Sequence, residues 1–197
     1  MGYLKKIEYE IVLKDSLSII RGCSGCGKKA HFLNTKKFRV NANGNKLDVW
    51  LIYQCEECRH TLNLAIYERQ KVSSIPKKEY RCFQDNDEQL AELYGKNMQL
   101  LRKNKADPDF ERLHYDFVKR KEMTERGHSG EQILFTIRNP CELKIPPEKQ
   151  IAAVLGWSRS QVKKLVEQGE IKVGTSSRQS VSFRVNAGVV LRISGPV

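Results

Sequence analysis

Apolar and charged residues alternate early in the chain, where Ile7, Tyr9 and Ile11 interleave with Glu8 and Glu10. A period of two marks a strand with one buried face. Residues 7–13 are therefore expected as a strand, paired with the hairpin that follows. The arms of that hairpin are residues 38–40 and 47–53, rich in β-branched and aromatic side chains. Between them Asn41-Ala-Asn-Gly44-Asn45 supplies turn chemistry. Residues 62–67 alternate in the same way and extend the sheet, and Ser73-Ser-Ile-Pro76 interrupts the pattern and marks a boundary.

Beyond the boundary the period lengthens. Leu90, Leu93, Tyr94, Met98 and Leu101 form a helical stripe across residues 86–103. Asp107-Pro108 reads as the cap and first-turn proline of a second helix, with Phe110, Leu113, Phe117 and Val118 as its apolar face. The short link predicts an antiparallel helix pair, with His114 and Asp116 as surface or core-edge residues. Residues 133–137 read as a strand closed by Asn139-Pro140. Pro146-Pro147 opens a short helix with Ile151, Val154 and Leu155 on one face, ended by Gly156. Ser158 and Gln161 have the spacing of a capping box. The helix they open buries Val162, Leu165 and Val166 and carries Arg159, Lys163 and Lys164 on its other sides. Gly169 stops it, and strands are expected at 171–173, 181–185 and 189–193. The fold class is α+β in three segments: a β domain with antiparallel hairpins, which the cysteine pairs Cys23/Cys26 and Cys55/Cys58 mark as a zinc ribbon (1–75), a helical pair with a connecting strand (76–140), and a small helix-helix-strand-strand-strand domain (141–197).

Two Cys-x-x-Cys pairs, Cys23/Cys26 and Cys55/Cys58, flank the expected hairpin. Four thiolates complete a tetrahedral zinc site and leave no position for a water or substrate, so the predicted cofactor is one structural zinc. Gly25 and Gly27 suit a chain folding back on a metal. His31 and His60 lie close in sequence, but the cysteines already complete the ligand count. Cys82 and Cys141 are left over as plain buried thiols. Cysteine pairs without a secretory leader point to a reducing, cytoplasmic setting, and no apolar run approaches the ~20 residues of a membrane helix.

The 197 residues carry a net charge of +12. Residues 1–72 hold 13 basic against 7 acidic side chains (+6), residues 73–141 hold 13 against 12 (+1), and residues 142–197 hold 9 against 4 (+5). A chain basic at both ends favours a polyanionic partner, nucleic acid before a membrane surface.

The stretch from Leu155 to Val173, Leu-Gly-Trp-Ser-Arg-Ser-Gln-Val-Lys-Lys-Leu-Val-Glu-Gln-Gly-Glu-Ile-Lys-Val, resembles the RNA-binding domain of the ribosomal protein S-four (alpha-L) superfamily. Phe183 to Ile193 is similar to that family's closing strands, with Gly188 at the turn. The whole chain also looks like a bacterial family of uncharacterised small proteins that pairs a four-cysteine ribbon with such a domain. The resemblance implies that Ser158, Arg159, Ser160, Lys163, Lys164 and Lys172 contact RNA, and Arg178 joins them on charge. It implies a protein binding structured RNA, ribosomal or transfer RNA; with no open metal site, no glycine-rich phosphate loop and no nucleophile–base pairing in the sequence, no enzyme is expected. The same residues fit a DNA-binding helix-turn-helix in which Arg159, Gln161 and Lys164 face base edges. A protein-interaction role for the zinc ribbon is the third reading.

Overall fold

The computed structural model describes residues 2–128, 130–177, 179–186 and 190. They form two five-stranded sheets and five α-helices, a mixed α+β architecture. The chain clusters into two compact units, an inner one of Leu13–Tyr115 and a terminal one of Met1–Val12 with Asp116–Val197. This division follows spatial proximity and cuts across the three consecutive segments drawn from the sequence.

In the inner unit, β2 (Ile19–Cys23), β3 (Lys28–Asn43), β4 (Lys46–Cys55), β5 (Thr61–Lys71) and the two-residue β6 (Asp107–Pro108) form a sheet in the order β5-β4-β3-β2-β6. The expected hairpin is present as β3 and β4, and residues 62–67 fall within β5. In β4 the buried side chains Leu47, Val49, Leu51, Tyr53 and Cys55 alternate with partly exposed ones, so one face of the strand belongs to the core. Each such Val or Leu contributes roughly 1.5–3 kcal/mol when removed from water. The Tyr53 hydroxyl, inside that core, donates to the Leu17 carbonyl at 3.0 Å. The sheet is covered by α1 (Lys77–Gln84), α2 (Glu88–Gly95) and α3 (Met98–Lys103). Phe83 of α1 packs edge-on against Phe38 of β3 at 4.9 Å and against Tyr67 of β5 at 5.9 Å.

Three expectations for this region are corrected. The helix over 86–103 is two helices, because Asn97 starts a new one by accepting from the Gln99 and Leu100 amides. The second helix of the central pair does not form. Asp107 and Pro108 pair with Ile20 and Ile19 as an edge strand, where a missing amide hydrogen costs no ladder bond. The Phe110 side chain is 48% exposed, so the supposed apolar face is not a core face. Residues 115–128 instead form the strand β7 (Tyr115–His128). Half-buried Tyr115 and Phe117 flank exposed Asp116 there, and exposed His114 immediately precedes the strand.

In the terminal unit, β7, β1 (Gly2–Leu13), β8 (Gln132–Arg138), β10 (Ser180–Asn186) and β9 (Ile171–Ser176) form a sheet in the order β7-β1-β8-β10-β9. The first strand therefore does not join the cysteine hairpin as expected; β1 runs parallel to β8, Ile7 opposite Phe135. Ile133, Phe135 and Ile137 of β8 align with Val185, Phe183 and Val181 of β10, and all six are buried. The Phe135 and Phe183 rings stack at 4.8 Å. The helix α4 (Pro147–Leu155) begins with proline in its first turn and ends at Gly156, and α5 (Arg159–Glu167) packs against α4 and β9. The strands expected at 171–173 and 181–185 are β9 and β10. The third, at 189–193, lies outside the described residues except for position 190.

Candidate metal centre and basic surface

The four cysteines of the inner unit sit at two turns at one end of its sheet. Cys23 ends β2 and Cys55 ends β4, and each strand reverses into its neighbour through a knuckle. The two knuckles are built alike. The Gly27 amide donates to the Cys23 carbonyl at 2.8 Å, and the Arg59 amide donates to the Cys55 carbonyl at 3.1 Å. Gly27 (φ 69°) and Arg59 (φ 63°) both occupy the left-handed region that lets the chain turn back. Glycine enters that region without strain; arginine does not. Gly25 is required for a second reason: a Cβ there would lie 2.8 Å from the Cys58 sulfur.

The sulfurs of Cys23, Cys26, Cys55 and Cys58 lie within 4.8 Å of one another. Cys23 to Cys58 is 3.4 Å and Cys26 to Cys55 is 3.8 Å. A disulfide would bring a pair to about 2.05 Å, whereas a tetrahedron of sulfurs on Zn–S bonds of ~2.3 Å has edges of about 3.8 Å. All six cysteines are free thiols, and the cluster fits a metal ion better than a cross-link. Its electrostatics agree. Burial pushes the Cys23 thiol up, but amide and sulfur hydrogen bonds outweigh it and bring the group down to about 7. Hydrogen bonding to Cys58, burial and the other sulfurs push Cys26 well above the thiol range. Among these neighbours one thiolate forms readily and others resist, the behaviour of like charges sharing one site. A cation removes that conflict.

Side chains tie the knuckles together. The Ser24 hydroxyl and His60 Nε2 are 2.9 Å apart, and Lys28 pairs with Glu57 at 2.9 Å. The Glu56 amide donates to the His31 carbonyl at 3.0 Å, and Arg112 pairs with the Glu56 carboxylate at 2.7 Å. Arg112 also lies 3.5 Å from buried Asp109, whose carboxylate is 3.0 Å from His31 Nδ1 and accepts from the Glu111 amide at 3.1 Å. Neither histidine is in the sulfur cluster. The Asp109–His31–Arg112 group was not anticipated, and nothing local in the sequence announces it. Cys82 and Cys141 are half-buried rather than fully buried, and burial raises the Cys141 thiol.

In the terminal unit the capping box is present. The Gln161 amide donates to Ser158 Oγ at 3.2 Å, and the Ser158 amide donates to Gln161 Oε1 at 2.9 Å. Val162 and Leu165 are buried, Val166 is half-buried, and Ser158, Arg159, Ser160, Lys163 and Lys164 are exposed. These five are brought together on α5. Lys172 is exposed on β9 but alternates with buried Ile171, so it projects from the opposite face of the sheet to the core residues, beside Arg184 of β10. Arg178 lies outside the described residues. Arg184 is not singled out by the sequence reading; the alternation of β10, with Phe183 and Val185 buried, places it on the exposed face.

Fold and site define a mixed α+β protein with a four-cysteine cluster at paired β turns. Residues 40–177 match the family described as "Protein of unknown function (DUF1062)", and the chain belongs to that family. The matched span includes Cys55, Cys58 and α5. No curated protein and no solved structure matches the chain. Among the described residues, no helix is long and apolar enough to cross a membrane.

Proposed function

We propose that the protein is a non-enzymatic, cytoplasmic, zinc-stabilised protein that binds structured RNA, ribosomal or transfer RNA, through α5. The observation that carries this reading is the exposed trio Arg159, Lys163 and Lys164 over a buried Val162–Leu165 stripe. None of the three forms an ion pair among the described residues. Arg159 and Lys163 are one turn apart, where like charges repel, so the helix carries a small cost that an anionic partner relieves. The start of a helix also offers unpaired N–H groups and a positive dipole end to phosphate. The resemblance of 155–173 to the S-four superfamily supports the same surface. Zinc is the favoured metal because four cysteine sulfurs at these separations suit it and leave no open catalytic position.

The helix-turn-helix reading is less favoured because it asks Gln161 to read base edges. Its Oε1 is already bound to the Ser158 amide, so bidentate reading of a base would open the capping box. The deciding experiment is Arg159→Ala with Lys163→Ala, titrated against a structured ribosomal RNA fragment and against duplex DNA over a salt series. RNA affinity is expected to fall, with a salt slope lower by about one unit per lost phosphate contact. Unchanged RNA affinity refutes the reading. Tight, sequence-dependent DNA binding lost in the variant transfers it to the helix-turn-helix.

A further inference from the structure

The terminal unit's sheet has a second basic feature, on the face turned away from its core. On β10, Arg184 is exposed between buried Phe183 and Val185; on β9, Lys172 is exposed beside buried Ile171. The register places Arg184 directly opposite Lys172. Like charges facing each other across antiparallel strands destabilise the pairing, and neither residue forms an ion pair among the described residues. On the other side of Arg184, β8 places half-buried Leu134 opposite it. Ser182 stands opposite Thr136 of β8, their hydroxyl oxygens 3.5 Å apart, and Ser180 stands opposite Arg138. A concavity of about 530 Å³, lined by Glu10, Thr136, Arg138, Pro140, Gln179 and Ser180, lies along the same rows. The carboxylates of this face, Glu8 and Glu10, stand on β1 and are bound by Arg138 and Arg120. The aromatic rings of β8 and β10 are stacked in the core instead, so this part of the face offers bases no ring to stack on.

We infer that the β9–β10 half of this face is a second RNA contact surface, gripping the phosphodiester backbone through Lys172 and Arg184 without reading bases. This rests on the RNA reading of α5 and extends it to a separate part of the same unit. A phosphate seated between the two cations turns a repulsive cross-strand pair into a bridged one, and the Ser182 and Thr136 hydroxyls lie one register row away to donate to neighbouring oxygens. Recognition of this kind depends on the shape and charge of the RNA rather than its sequence.

Lys172→Glu separates binding from folding. It places an acid opposite Arg184, so the variant should melt at a higher temperature than the native protein. It should nonetheless bind the same ribosomal RNA fragment about tenfold or more weakly, the loss expected for a charged hydrogen bond, with a salt slope reduced by about two units as both cations stop meeting phosphate. Arg184→Gln relieves the repulsion without creating a new pair and must reproduce a weaker binding, with melting raised less than in Lys172→Glu. Native affinity and slope in both variants, while Arg159→Ala with Lys163→Ala weakens binding, overturns the sheet surface and leaves the helix reading intact. Normal binding by the helix variant with loss in the sheet variants refutes the helix and keeps the sheet. A loss confined to one RNA sequence also overturns the inference, because a backbone grip weakens all sequences alike.

Discussion

Gly25→Ala tests whether the knuckle geometry exists to hold a metal. A Cβ at this position falls 2.8 Å from Cys58 Sγ and 3.3 Å from the His60 Cβ. Well-packed heavy atoms sit about 3.5–4.0 Å apart, so the methyl overlaps the sulfur by about 0.7–1.2 Å. Without metal, Cys58 is exposed and its side chain can rotate away. With metal, a bond of ~2.3 Å fixes the sulfur, and the clash must be absorbed by the backbone. Overpacking of this size costs about 1–3 kcal/mol, which weakens metal binding about 5- to 150-fold if the cost falls on the loaded form alone. The assay is zinc competition against a chromophoric chelator at constant pH, because bound thiols release protons. Gly22→Ala is the control, since a Cβ there meets nothing within 4 Å. Equal zinc affinity in Gly25→Ala and the native protein refutes the argument. So does an equal loss of stability with and without zinc, which would show a strain unrelated to the metal.

Two further outcomes follow from local geometry. Arg59→Gly relieves the left-handed backbone of the second knuckle, matching Gly27 in the first, and should raise the urea midpoint by a gain of up to about 1 kcal/mol after glycine's extra unfolded-state entropy; an unchanged or lower midpoint refutes it. The Glu122 carboxyl is held down to about 2 by Lys119 and Lys5; a depressed folded pKa stabilises above the ordinary value of 4.5 and is lost as pH falls from there toward about 2. Solvent exposure keeps that increment below about 1 kcal/mol, and Glu122→Gln should flatten this part of the acid unfolding curve, whereas parallel curves for the two proteins contradict the assignment.

What the sequence made legible is what neighbouring residues decide. The cysteine spacing, the turn at Gly44, the capping box of Ser158 and Gln161 and the stop at Gly156 are each set within a few positions, and each is present. The losses came where distant partners decide. Asp107-Pro108 opens a helix or edges a strand equally well, and the Ile19–Ile20 edge of β2 settled it. Phe110, Leu113 and Phe117 mimic a helical stripe by chance of spacing, but the strand period of Tyr115 and Phe117 won once β1 was present as a neighbour. In α2 the large Leu93 is 66% exposed and the buried positions are Ala91 and Gly95. Small residues were chosen there because the helix runs close to Asn34 and Ser16, a reason no hydrophobic pattern contains.

Net charge alone says little about where a polyanion would bind, and the ion pairs sharpen it. In the inner unit, Lys28, Lys36, Lys103 and Arg112 are matched to Glu57, Glu92, Glu68 and Glu56. On β1 and β7 of the terminal unit, Lys5, Lys6, Lys119 and Arg120 are matched to Glu122, Glu125, Glu122 and Glu10. Exposed pairs of this kind contribute at most about 1 kcal/mol each, so their importance lies in the field they cancel rather than in stability. After that cancellation α5, β9 and β10 retain Arg159, Lys163, Lys164, Lys172 and Arg184 without ion pairs among the described residues. Four acidic residues are spread through the last 56 positions against nine basic ones. Residues 142–197 keep a net charge of +5, close to the +6 of residues 1–72, but here the positive charge coincides with a capped helix start and an unpaired pair of cations on a sheet face, two geometric features that each suit an anion.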